Sequence, residues 1–155
     1  MSTSAVVVPS PETSLSRQRW AGRVAGWALV VLGVGHLLTV AATLAGEPDP
    51  ATRRALDGLA AVRVGTPGPQ PTLAELFDGY SVLMGLMVVA AGALMLALTR
   101  HAAQTPGLLR AGLALIGVTA AVGLVVSWLL MPLPPLIGLG VTLAACISGL
   151  VRPHR

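Results

Sequence analysis

Four stretches of this chain run for about the thickness of a bilayer without a charged side chain, and that constrains its fold more than any other feature. They cover residues 24 to 45, 79 to 99, 111 to 131 and 136 to 151. At 1.5 Å of rise per residue, the roughly 20 residues of each of the first three reach across a hydrocarbon core of about 30 Å. The fourth is shorter, but Pro134 and Pro135 stand at its start, where a helix tolerates proline, and it is still expected to span. Only MPLPP separates it from the third, so the two are expected to form a tight antiparallel hairpin. Lipid offers no partner for an open strand edge, and none of the stretches alternates with period two, so the expected elements are helices.

Composition leads to the same class. Of 155 residues 54% are hydrophobic and 10% charged, and the mean hydropathy is +0.80, whereas a soluble domain carries roughly 25% charged residues. The expected fold is therefore all-α, a four-transmembrane-helix bundle with helices at about 20–45, 73–99, 108–131 and 134–151. Residues 1–18 are expected to form a disordered tail and 46–72 a long loop, with 153–155 closing the chain. A cleaved secretory signal is the rival reading of the first stretch, since Arg17, Arg19 and Arg23 precede it and AATLAGE resembles a cleavage site. Its 22 apolar residues exceed the roughly 7 to 15 of a signal sequence, which favours a retained span.

The arginines orient the bundle, because the chain has no lysine. Arg17, Arg19, Arg23, Arg100, Arg110, Arg152 and Arg155 flank one side; Arg53, Arg54 and Arg63 flank the other. Seven against three places both termini in the cytoplasm and the loop outside, in a multi-pass protein of the cell membrane. Trp20 then falls at the inner interface, and Phe77, Tyr80 and Trp128 at the outer one, where aromatic rings are favoured. The net charge of +4 thus reports topology. Nucleic acid is not an expected partner, since the cations are not interleaved with aromatics and the chain has one Phe and one Tyr.

The outer loop carries its own local order. Leu56, Leu59, Ala60 and Val64 fall at helical spacing, with the arginines and Asp57 largely elsewhere on the wheel, so PATRRALDGLAAVRV reads as a short surface helix or a solvated coil. GTPGPQPT cannot continue a helix. TLAE, residues 72 to 75, has the spacing of a capping box, with Thr72 capping and Glu75 reaching back. The helix dipole also favours Glu75 and Asp78 in these first turns, which gives both carboxylates a structural role. Their functional reading is the mouth of a polar pocket shared with Tyr80 and Ser81.

His36 stands alone in VVLGVGHLLTV. An ionisable side chain in a membrane segment usually faces the bundle interior or a wet cavity. It can tie helices together by donating to a carbonyl or to a hydroxyl such as Thr119, Ser127, Thr142 or Ser148. Alternatively it acts as an acid/base or ligand-orienting group with Asp78 or Glu75. Depending on where the first helix enters the bilayer, it lies level with Ser81 or deeper, near Met84 to Met87. Glycines, among them the GxxxG pair Gly22 and Gly26, let helix backbones approach.

Other chemistries are excluded on residue types. Cys146 is the single cysteine and the three histidines are far apart in sequence, so no disulfide, metal centre or haem is expected, and no cofactor is evident. No phosphate-binding loop or nucleophile elbow occurs. The run WAGRVAGWALVVLGVGHLLTV, the long loop, and LFDGYSVLMGLMVVAAGALML resemble small four-helix bacterial membrane proteins of the DoxX-like group, with the GxGH turn and DGYSxxMG as the specific parts. The resemblance implies a four-helix fold and points to His36, Asp78, Tyr80 and Ser81 as the place where a ligand would bind. Three functions stay open: a non-enzymatic protein that binds a lipophilic molecule or serves as a subunit of a homo-oligomer or membrane complex, an enzyme on a lipid-soluble substrate using His36 with Asp78 or Glu75, and an oligomeric small transporter.

Overall fold

A computed structural model of the chain describes residues 11–65, 70–130 and 133–151. The chain is helical, with α1 at Pro11–Ala45, α2 at Pro50–Ala61, α3 at Leu73–Arg100, α4 at Pro106–Leu130 and α5 at Leu133–Leu150. Three of them, α1, α3 and α4, are long and apolar enough to cross a membrane. The 18 residues of α5 make it shorter. The side chains of these helices are turned the wrong way for water: only 11%, 22% and 22% of the most apolar windows of α1, α3 and α4 are buried. Val31, Leu38, Met87, Leu94, Val118 and Val125 are all well over half exposed. A soluble protein rarely exposes apolar surface on this scale, whereas in lipid such faces carry no penalty.

α1 corrects one expectation. It begins at Pro11, so residues 11 to 18 are helical and not part of a disordered tail; residues 1 to 10 lie outside the described residues. The physical reason is that hydropathy marks where a helix enters lipid, while Leu15, Arg17, Gln18 and Arg19 are good helix formers in water too. Pro11 and Glu12 at the helix start suit its first turn.

Two compact units make up the fold, residues 33 to 89 being one and the remainder the other. In the larger unit, Ala21, Ala25, Met95, Leu109, Leu113, Ala145 and Cys146 form a buried core drawn from α1, α3, α4 and α5. Small residues set its spacing. A methyl group added at Gly92 would lie 2.6 Å from the Gly26 carbonyl oxygen, and one at Gly149 would lie 2.8 Å from Ala21 Cβ. Gly22 likewise faces Thr99, so Gly22 and Gly26 both serve packing within the chain. Hydroxyls in the apolar segments bond back to their own helix: Thr142 to the Gly138 carbonyl at 2.8 Å, Ser148 to Ala145 at 2.7 Å and Thr119 to Leu115 at 3.0 Å. A buried hydroxyl is thereby satisfied without a partner on another helix.

The smaller unit holds the rest of α1, all of α2 and the first half of α3. α2 starts on Asp49, whose carboxylate accepts the Ala51 and Thr52 amides at 2.9 and 3.1 Å and the Thr52 hydroxyl at 2.6 Å. With Pro50 behind the cap, this is a strong helix start, and it outweighs Gly58 in choosing helix over coil. After α2 the chain closes on itself. The Val64 amide donates to the Pro71 carbonyl at 3.1 Å and the Leu73 amide to Val62 at 2.8 Å, forming a single antiparallel bridge between Arg63 and Thr72. Much of the Pro/Gly connector, residues 66 to 69, lies outside the described residues. The end of α2 is thus clasped to the start of α3.

Candidate functional site

The candidate residues sit around the first turns of α3. Its start is the capping box: the Glu75 amide donates to Thr72 Oγ1 at 3.2 Å, while Glu75 Oε2 accepts the Thr72 amide at 2.7 Å and the Thr72 hydroxyl at 3.0 Å. Reciprocal bonding of this kind satisfies donors that the helix cannot pair internally. It also commits Glu75 to the backbone. Asp78 and Tyr80 follow on the exposed surface of the helix, with Tyr80 70% exposed.

His36 reaches α3 at Ser81. Its Nε2 lies 3.0 Å from the Ser81 carbonyl oxygen, and because a carbonyl only accepts, Nε2 carries the proton and donates. The ring lies between Ser81 and Gly85 along α3, so it touches both of the expected levels. The partner is the main chain of residue 81 and none of the four hydroxyls considered. That carbonyl belongs to the helix ladder, in which it pairs with the amide four residues on, at Gly85. Helix side chains point toward the N-terminus, so a side chain at 85 would stand over the carbonyl of 81. At Gly85 there is none. A methyl there would lie 3.1 Å from His36 Cδ2 and 2.7 Å from Leu37 Cδ2, closer than packed carbons allow. Gly33, one turn before His36, repeats the device: a methyl on it would lie 2.9 Å from the Gly85 carbonyl oxygen.

The imidazole is therefore part of a close helix contact, half-buried and with its proton in use. The structure brings together His36, Ser81 and Gly85, and separately Thr72 and Glu75. Sequence reasoning singles out DGYSxxMG for its polar members, yet the residue on which the contact depends is Gly85. A signal for it exists in the sequence: Gly26 and Gly33 on α1 are seven residues apart, as are Gly85 and Gly92 on α3, a spacing that returns each to the same helix face. Among the described residues, no three His, Cys, Asp or Glu side chains are grouped so as to hold a metal ion. Comparison with known protein families, characterised proteins and solved structures finds no match to this chain.

Proposed function

We propose that the chain is a multi-pass protein of the cell membrane that crosses the bilayer four times, with both termini in the cytoplasm, and that it works by binding within the membrane. Its ligand is a lipophilic molecule or the apolar span of a membrane partner. The arginine distribution supports the orientation. α5 supports the fourth crossing, since its 18 residues extend about 27 Å, within reach of a hydrocarbon core of about 30 Å. The four-helix count also agrees with the resemblance to DoxX-like proteins. One observation above all supports binding over catalysis: the His36 Nε2 proton is donated to the Ser81 carbonyl at 3.0 Å. An acid/base pair needs its members within hydrogen-bond reach of each other or of a shared substrate proton. Here Glu75 is taken by its cap and His36 by a helix backbone, while the lateral faces of α1, α3 and α4 are apolar and open.

The test is purification in mild detergent, with mass spectrometry of the lipids and proteins that accompany the wild-type chain and His36→Ala. A specific companion molecule, chemically the same in both samples and reduced in amount in the variant, is the expected result. A small molecule that changes chemical identity between the two samples would overturn the reading in favour of catalysis.

A further inference from the structure

The arginine-rich end of the larger unit holds more than the positive-inside rule explains. α1 contributes Arg17, Arg19 and Arg23, α3 ends on Arg100, and α4 carries Arg110. These come to one end of the unit, because Gly22 packs on Thr99 and Leu109, and Gln18 and Ala21 pack on Gly149. Glu12 is the one carboxylate among the described residues of that unit. Charge of this kind in the first turn or two outside a membrane span attracts anionic lipid. Exposed arginines suffice for that, and Arg23, Arg100 and Arg110 are exposed.

Arg17 is different. Its Nε is buried and has no hydrogen-bond partner, so the outer guanidinium nitrogens are the ones that a ligand in the adjoining groove can meet. It borders an open groove of about 500 Å³ together with Glu12, Ser16 and Trp20. Trp20, one turn on, is 60% exposed, as suits a ring at the headgroup level. A guanidinium presents a planar fork of donors, and a phosphate ester presents several oxygens that match it in pairs. We propose that this end of the protein captures the phosphate headgroup of an anionic phospholipid, with Arg17 as the residue that grips it and Arg19, Arg23, Arg100 and Arg110 supplying the field. The inference rests on the membrane reading above, though not on what the chain binds within the bilayer.

The test uses the full-length protein in detergent, with bound lipid counted by native mass spectrometry during titration with phosphatidylglycerol or with phosphatidylcholine of the same acyl chains. The expected preference for phosphatidylglycerol is about fivefold or more, and Arg17→Gln lowers affinity for it about fivefold. Arg17→Lys restores only part, because the charge returns without the fork. Arg110→Gln, at an exposed position, lowers affinity at low salt only, because added salt screens an exposed charge. Equal binding of the two lipids, or a preference that Arg17→Gln leaves intact, would overturn the inference. Displacement of the lipid by inorganic phosphate at equal concentration would also overturn it, by making the site one for free phosphate. The same samples in vesicles separate this inference from its premise. Protein that inserts but shows no lipid preference defeats the inference alone, and protein that fails to insert defeats both.

Discussion

At Ser81 one carbonyl serves two donors, its own helix and His36, and it can do so because Gly85 leaves it uncovered. The two halves of this contact are expected to respond differently to mutation. His36→Ala removes one interhelical hydrogen bond, worth about 1 kcal/mol in a membrane protein. Gly85→Ala drives a methyl into His36 and Leu37, displaces the imidazole as well, and is expected to cost about 2 kcal/mol. Thermal unfolding in detergent would show the larger fall in Tm for Gly85→Ala; the reverse order would mean that the glycine is not what admits the histidine. At Asp49, the Thr52 hydroxyl, then the Thr52 and Ala51 amides, hold the carboxyl below its usual value of 3.8. Folding thus favours the ionised form, so the cap's contribution is complete above about pH 4 and is lost as pH falls through the lowered native value. Amide hydrogen exchange at Ala51 and Thr52, corrected for its intrinsic pH dependence, is expected to lose protection only below that point. An Asp49→Ala variant should lack protection at neutral pH as well.

Elements follow from local chemistry where local chemistry is strong. The α3 capping box and the amphipathic pattern of α2 are both legible in the sequence, because each depends on residues no more than four apart. The start of α1 is not, because absence of hydropathy says nothing about helix propensity in water. Helix contacts lie between these cases. Gly33 and Gly35 flank the same turn and look alike in sequence, yet a methyl at Gly33 would meet Val89 Cγ2 at 2.7 Å, while one at Gly35 would meet nothing within 4 Å. Gly33→Ala is therefore expected to lower stability by about 2 kcal/mol, and Gly35→Ala to leave it unchanged or slightly raised through better helix propensity. Equal effects at the two positions, measured by unfolding in detergent, would contradict the helix phase described above.

For the whole molecule, topology is the quantity at issue, and labelling from either side of the membrane reads it. In a Cys146→Ser background, Asp57→Cys on the exposed α2 is expected to react with an impermeant maleimide on intact cells. Thr105→Cys, between α3 and α4, is expected to react only after the membrane is opened. The opposite pattern would invert the orientation, and labelling of both on intact cells would put the two ends of α3 on one side and remove its crossing. Wild-type Cys146, buried in the core, should resist the reagent in either condition until the protein is unfolded.

The presence of long apolar helices is a one-dimensional property: it depends on how long a stretch stays apolar relative to the bilayer. Sequence alone determines that much, and the side on which the cations gather sets the orientation expected of them. Which glycine meets which carbonyl, whether His36 reaches a carboxylate or a backbone oxygen, and which arginine buries an Nε without an acceptor are not written at any one position. They depend on the rotation and register of one helix against another, where a shift of a single residue turns a side chain by about 100°. Only the tertiary structure decides that phase, and with it the difference between a histidine poised for chemistry and one that holds two helices together.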